Sequence, residues 1–359
     1  MLVCSLEVDN FRNLQHISLQ CSPNLNLLVG ENASGKTSIL EALYFLGRAR
    51  SFRTHRMEDL IHTGASAFRI MATMTETVGC RLIPLGIQRS SREVSARIDG
   101  APVRSLVQLA LQVPVLLLSP SSHRLLEDGP QQRRRFIDWG LFHSESAFMV
   151  AWKRYGVALR HRNATLRANA ANRVVDAWDE ELALAAATLD CFRESFCEAL
   201  QQVLRPLTTA LLGMVAPAVD YRRGWAQGQE QDLAALLRAS RDQDRRYGYT
   251  RLGPHRADFS VRLNGSMAQE YLSRGQQKLL VIALVLAQAR LYQAHHGSPC
   301  ILLIDDLPAE LDCAHRDRVM QCLAAMETQL FITAIEANSL DTAAWPGACI
   351  VNLKHGIIS

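Results

Sequence analysis

Apolar positions recur with two different periods along the chain, and the change of period divides it. Over the first 120 residues the runs are short and strand-like: Leu2 to Val8, Ile17 to Cys21 and Leu25 to Val29, punctuated by Pro23 and Asn24. Phe68 to Thr75, Cys80 to Gln88 and Val94 to Ile98 continue the series, with turn signals at Gly79 and at Asp99-Gly100. Val113 to Leu118 reads as a buried strand stopped by Ser119-Pro120. One helix interrupts this region, Lys36 to Leu46, whose Ile39, Leu40, Leu43 and Leu46 keep helical spacing. From 121 to 212 the strand signals vanish and the pattern is helical. Strands return at Ala218 to Arg223 and Asp258 to Leu263, with Asn264-Gly265 as a turn. Leu279 to Arg290 predicts an almost wholly apolar, buried helix, and Cys300 to Ile304 and Gln329 to Thr333 predict buried parallel strands.

Composition narrows the class without naming it. The 359 residues are 48% hydrophobic and 21% charged, with a net charge of only +4. Any acidic partner therefore has to be argued from local clusters. The longest unbroken apolar run, Leu279 to Ala287, is nine residues, against roughly 20 needed to cross a bilayer. The opening MLVCSLEVDNF has no basic n-region and alternates like a strand, so no signal peptide is expected. Nine cysteines without a CxxC pair point to free thiols in a reducing cytoplasm.

The charge that matters is segregated. From Gln131 to Arg173 nine Arg or Lys face two acids; from Val174 to Leu200 seven acids face one arginine. Two antiparallel helices pairing by charge would explain this, and so would a basic face aimed at an acidic partner.

The strongest chemical signal is Gly30-Glu31-Asn32-Ala33-Ser34-Gly35-Lys36-Thr37, a G-x-x-x-x-G-K-[ST] loop between an apolar strand and an amphipathic helix. Glycines let the backbone curl so that successive N–H groups point at phosphate oxygens, and the helix N-terminus adds partial positive charge. In this reading Lys36 reaches the β- and γ-phosphates and Thr37 holds Mg²⁺. A second carboxylate is needed, and the apolar run Ile301 to Ile304 delivers Asp305 as the Mg²⁺ partner. Asp306, next in line, is placed to orient or deprotonate an attacking water.

Between the two lies Tyr271-Leu272-Ser273-Arg274-Gly275-Gln276-Gln277-Lys278, which resembles the LSGGQ signature of ATP-binding-cassette (ABC) ATPases in its SMC-like variant. Ser273 would also serve simply as a helix N-cap. Ala309-Glu310-Leu311-Asp312 looks like the D-loop of the same superfamily, and Asp9-Asn10-Phe11-Arg12-Asn13-Leu14 resembles the N-terminal strand motif of SMC-like ATPases. Gly129 to Asp138 and Gly253-Pro254-His255-Arg256-Ala257-Asp258 are similar to the arm and GPHR motifs of the RecF family, and the resemblance covers essentially the whole chain.

That resemblance implies an α/β fold: an ABC-type P-loop ATPase head of mixed β-sheets with flanking helices, formed by 1–120 and 213–359, carrying an inserted α-helical arm domain at 121–212. It implies ATP and Mg²⁺ as cofactors and an ATP-dependent homodimer. In each composite site Gly30 to Thr37, Asp305 and Asp306 come from one chain, while Ser273 and Gly275 come from the other; Arg12, Asn13, Gln276 and Asp312 belong to the same nucleotide-binding set. It implies single-stranded and gapped DNA as ligand, RecO and RecR as partners, RecA as the protein loaded, a role in the SOS response, and no membrane. A nucleotide-dependent adaptor without productive hydrolysis, or another ABC-type ATPase such as a transporter subunit, are the alternatives.

Two departures bear on turnover. Common ABC ATPases carry glutamate where this chain has Asp306, and Phe331 to Glu336 lacks the histidine that follows their last core strand. A shorter carboxylate and a missing switch residue weaken alignment of the water, so slow turnover is expected, with ATP as a clamp signal; the family resemblance implies that DNA stimulates it. Arg133, Arg134, Arg135, Lys153, Arg154 and Arg160 are the candidate DNA contacts; a solvated face paired with the acids from Asp176 to Glu198 is the competing reading, and the triple arginine could also be a structural or dimer contact. Trp139, Phe142, Phe148 and Trp152 read as core.

Overall fold

The structure, a computed structural model, describes residues 1–76, 81–91, 93–214, 217–226 and 232–358. The chain resolves into two compact units, one formed by Met1–Ser122, Ala210–Gly213 and Lys278–Ser359, the other by His123–Thr209 and Met214–Gln277.

In the first unit, the N-terminal stretch runs β1 (Leu2–Phe11), β2 (Leu14–Gln20), β3 (Leu25–Val29), α1 (Lys36–Arg48), β4 (Ala67–Thr75), β5 (Ile83–Ser90), β6 (Val94–Ile98), β7 (Ala101–Pro102), α2 (Leu106–Gln112) and β8 (Val115–Leu118). The C-terminal stretch adds most of α9 (Arg274–His296), then β12 (Ile301–Ile304), α10 (Leu307–Glu310), α11 (Cys313–Ala324), β13 (Gln329–Ala334), β14 (Cys349–Lys354) and β15 (Ile357–Ile358). In the second unit lie α3 (Arg124–Glu127), α4 (Pro130–Ser144), α5 (Phe148–Arg167), all but the last residues of α6 (Asn172–Leu212), β9 (Ala218–Arg222), α7 (Leu233–Tyr247), β10 (Asp258–Leu263), β11 (Ser266–Met267) and α8 (Ala268–Tyr271).

Two sheets build the first unit. One is antiparallel, in the order β2-β1-β4-β5-β6-β7; the other, β15-β14-β3-β13-β12-β8, is parallel from β14 to β8. The central strands β3, β12 and β13 are buried at every position; β12 is wholly apolar, while β3 and β13 bury Asn26, Gln329 and Thr333, each with hydrogen-bond partners. Helix α1 is buried almost all round, because its apolar stripe and its opposite side both join a core fed from the two sheets. Gly47 permits this approach: a Cβ there would lie 2.4 Å from the Val113 carbonyl oxygen. The buried Gln329 side chain ties the sheets, donating to the carbonyls of Val3 and Ser22 at 2.8 Å and accepting from the Val3 N–H.

The expected helix and strands form, Leu25–Val29, Val94–Ile98 and Asp258–Leu263 with the expected ends and the others with shifted ones. Helices α2 and α7 and strand β14 were not anticipated, and the buried helix extends to Arg274–His296. Gly79 and Cys80 lie outside the described residues. Residues 214–277, expected in the head, cluster instead with the helical insertion. Charge explains this. Fully buried Arg162 on α5 donates to Asp179 on α6 (2.6 Å), Asp244 on α7 (2.8 Å), the Thr250 hydroxyl (2.8 Å) and the Leu237 carbonyl (3.2 Å). Arg241 on α7 reaches back to Asp179 and Asp176. The basic and acidic blocks do pair, through Arg162–Asp179, Arg154–Glu181 and Arg193–Asp138.

The two family motifs of this unit interlock. Arg133 forms a two-pronged ion pair with Asp258 (2.7 and 3.1 Å) and donates to the Asp128 carbonyl; Arg134 donates to the Ala257 carbonyl at 2.7 Å. Arg193 holds Asp138 and the Pro254 carbonyl together. His255 sits between the Tyr155 hydroxyl (2.5 Å, to Nδ1) and the Thr250 carbonyl (2.9 Å, to Nε2). A carbonyl can only accept, so Nε2 carries the proton and neutral Nδ1 accepts from Tyr155.

Burial, opposed by the Thr250 carbonyl and aided by Arg256 and Arg134, lowers the His255 pKa to about 4. The unfolded chain therefore binds a proton that the folded one refuses between about pH 6.5 and about 4. Stability contributed by His255 is complete above that window and is lost as pH falls through it, by about 3 kcal/mol in all. Urea unfolding at pH 7.5 and 5.0 should show a smaller pH penalty for His255→Gln than for the wild type; equal penalties would reject the assignment.

Candidate functional site

The loop after β3 is shaped by its glycines. Gly30 has φ +153°, and a Cβ there would stand 2.2 Å from the Leu353 carbonyl oxygen; Gly35, φ +111°, would press on Leu14 at 2.8 Å. Only glycine fits either place without displacing backbone or core. The loop thus closes on the start of α1, whose first turn carries no acid to compete for an anion. Lys36 turns its ammonium onto the loop, donating to the carbonyls of Gly30 (2.5 Å) and Glu31 (2.8 Å). The Ser34 hydroxyl is buried with no hydrogen-bond partner among the described residues.

Parallel strands bring the rest together at their carboxyl ends. Asp305 follows β12, and its Oδ1 accepts from the Thr37 hydroxyl and from the Thr333 hydroxyl, both at 2.9 Å. Thr333 Oγ1 in turn accepts from the Asp306 N–H at 2.7 Å. Asp306 is left-handed, φ 57°. Burial raises its pKa, and the Asp305 charge adds to this against the pull of Lys36. Burial lowers that of Lys36, with Asp306 and Asp305 opposing. The resulting cavity, about 730 Å³, is lined by residues including Arg12, Asn13, Asn32 to Ser38, Asp305, Asp306 and Thr333.

Arg12 and Asn13 brace this wall. The Arg12 guanidinium clamps fully buried Glu41 through two hydrogen bonds (2.9 and 2.8 Å) and donates to the Asp59 carbonyl. Asn13 donates to the Ala33 carbonyl and accepts from Ser38 at 2.7 Å. Glu41, Ser38 and Thr333 had no role in the sequence reading. Glu41 also receives Ser51 and, at 3.6 Å, Arg53.

The remaining expected nucleotide residues do not line this cavity. Ser273 and Gln276 form a reciprocal cap at the start of α9: the Ser273 N–H donates to the Gln276 side chain (3.0 Å), and the Gln276 N–H to Ser273 Oγ (3.4 Å). Ser273 and Gly275 are exposed, and a Cβ on Gly275 would meet nothing within 4 Å. Asp312 caps α11, accepting from the His315 N–H at 2.9 Å and from its ring at 2.6 Å. Among the candidate DNA contacts, Arg133 and Arg134 are occupied within their own unit and Arg154 pairs with Glu181, while Arg135, Lys153 and Arg160 are exposed.

A P-loop, a strand-end carboxylate and a parallel sheet sharing one core with an antiparallel sheet define the head of an ABC-type ATPase. The sequence model of the RecF/RecN/SMC N terminal domain matches residues 2–354. The DNA replication and repair protein RecF of Thioalkalivibrio sulfidiphilus (strain HL-EbGR7) is 38% identical over 358 residues, covering 100% of this chain and 99% of its own. The protein of that name from Pseudomonas aeruginosa (strain LESB58) is 41% identical over 364 residues, covering 100% and 98%. The chain belongs to the RecF family.

Solved structures agree on the fold. A recombination mediator protein RecF with ATP superposes with a TM-score of 0.86 at 23% identity, over 100% of this chain and 97% of that one. An Smc head bound to the C-winged helix domain of ScpA gives 0.60 at 15%, over 100% and 96%. Among the described residues no helix is long and apolar enough to cross a membrane.

Proposed function

We propose that this chain is a cytoplasmic, ATP-dependent DNA-binding protein of replication and recombinational repair, which dimerises on ATP, binds single-stranded and gapped DNA, and helps load RecA with RecO and RecR, supporting the SOS response. The observation that carries the nucleotide part is the convergence of Thr37 and Thr333 on one oxygen of Asp305, beside a lysine held at the mouth of a glycine loop.

The donor set suits a magnesium nucleotide. Lys36 rests on carbonyl oxygens at positions a phosphate oxygen could replace, and the orphaned Ser34 hydroxyl is available to it. Thr37 and Asp305 are hard oxygen ligands that would hold Mg²⁺, which supplies charge neutralisation to the phosphates. Loop N–H groups and the α1 N-terminus bind the triphosphate; Asp306 accepts the proton of the attacking water. Thr333 positions the Asp305 carboxylate and the Asp306 backbone and stands near the end of the last core strand, where the missing histidine left no switch residue. Hydrolysis is slow and stimulated by DNA, and ATP acts as a clamp signal.

The signature serine of one chain meets the nucleotide held by its twin, so dimerisation depends on ATP. Light scattering tests this with ATP, ADP and gapped duplex. Lys36→Arg is expected to weaken nucleotide binding. Ser273→Arg is expected to bind ATP normally yet remain monomeric. A Ser273→Arg protein that dimerises like the wild type would sink the composite site.

A further inference from the structure

The second unit carries an aromatic and cationic surface that the site above does not use. Helix α7 ends at Gly248, φ 73°, whose N–H closes on the carbonyls of Asp244 and Arg245. The turn brings Tyr247 and Tyr249 together, with ring centroids 5.8 Å apart and planes tilted by 41°. Both are exposed, at 60% and 40%. The Arg251 guanidinium lies over the Tyr247 ring at 5.3 Å, and Arg256 over Tyr249 at 5.5 Å. Between them Arg167 packs on Gly248, where a Cβ would stand 3.2 Å from its Cγ. From Arg245 to Arg256 the chain has four arginines and no acid.

Two tyrosines held apart from the core, each braced by a guanidinium, combine what a single-stranded polynucleotide requires: π-faces for unstacked bases and cations for the phosphates between them. A duplex keeps its bases stacked and offers the rings nothing. Arg251 is anchored by Asp244 and Gln243 and so fixes Tyr247. Arg256 and Arg167 are both exposed; Arg167 donates one long hydrogen bond, 3.4 Å, to the Gly248 carbonyl, and Arg256 lies on the Tyr249 ring, so each guanidinium keeps N–H groups open to a phosphate.

We propose that Tyr247 and Tyr249, with Arg256 and Arg167, form a base-stacking platform for single-stranded DNA. It rests on the DNA-binding reading above and gives it a surface other than the arm arginines. Each stacked base contributes enough that its loss should be read directly in affinity.

The test uses the full chain with ATP and Mg²⁺, and fluorescence anisotropy of a labelled oligo-dT, an abasic strand of the same length, and a duplex. Tyr247→Ala with Tyr249→Ala should weaken oligo-dT binding roughly tenfold or more and leave its salt slope unchanged. Duplex affinity should not move. The Tyr→Phe pair should bind like the wild type, and the abasic strand should bind the wild type at the level of the alanine pair. Arg256→Ala should instead flatten the salt slope by about one ion. Wild-type affinity in the alanine pair, or an equal loss on duplex, overturns the platform while leaving DNA binding intact. A wild type that binds none of the three ligands overturns both.

Discussion

Arg162→Met is expected to destabilise the second unit by about 3–5 kcal/mol, because it leaves buried carboxylates without their main cation. Arg162 is wholly buried, as are Asp179 and Asp244, and its guanidinium bridges helices α5, α6 and α7. Arg241 and Arg251 remain near the two aspartates, but Arg251 reaches Asp244 only at 3.3 Å. Neither supplies the fork that Arg162 lays between them. A melting temperature lower by about 10 °C follows for a unit of this size. Calorimetry should show the loss, with hydrogen exchange rising in α5 to α7 and ATP affinity in the first unit preserved. Adding Asp179→Asn and Asp244→Asn to Arg162→Met should recover most of it, since the cost is uncompensated charge. A single variant that melts with the wild type would show that the network contributes nothing.

That network marks where the sequence stops being readable. The parallel strands were legible because burial on both faces favours apolar runs: Ile301 to Ile304 is unbroken, and Leu25 to Val29 is interrupted only by the buried Asn26. The P-loop was legible because its chemistry is local to eight residues. Thr333 and Glu41 were not: each acquires its role from a partner brought in by folding, Asp305 28 positions away and Arg12 29 away. From sequence Arg133 to Arg135 stand as one basic run, open to a DNA, structural or dimer role, with nothing to tell the three apart. The fold gives Arg133 a carboxylate 125 residues distant and Arg134 a carbonyl 123 distant, and leaves only Arg135 exposed. Helix α7 had readable punctuation, with Asp232 capping its start and Gly248 its end. Its apolar residues gather near the N-terminal end, so the 3.6-residue period fades before the helix does.

Asp306→Asn is expected to lower ATP hydrolysis by a factor of about 10²–10⁴ while ATP still binds and still drives dimerisation. The asparagine keeps the N–H that Thr333 accepts and the left-handed backbone that this residue type tolerates, so only the basic oxygen is lost. The same conformation gives a physical reason for aspartate where other ABC ATPases have glutamate: a longer side chain must occupy φ 57°, which costs about 1 kcal/mol. Asp306→Glu should therefore retain hydrolysis but lose some stability. Burial, and then the neighbouring Asp305 charge, raises the Asp306 pKa, so its proton-free form is lost earlier on acidification than for a solvent-exposed aspartate. The wild-type rate should rise with pH through that raised pKa and then level, and Asp306→Asn should show no such rise. Single-turnover phosphate release with gapped DNA measures the rate, and light scattering on the same samples measures the dimer. If Asp306→Asn hydrolyses ATP as fast as the wild type, the water is deprotonated elsewhere. If it hydrolyses slowly because it no longer dimerises, Asp306 shapes the interface and is not the base. A slow variant with a longer-lived dimer is the outcome that the hydrogen-bond chain from Thr37 through Asp305 and Thr333 to Asp306 requires, because that chain ends on the Asp306 N–H and fixes the backbone whatever the charge of the side chain.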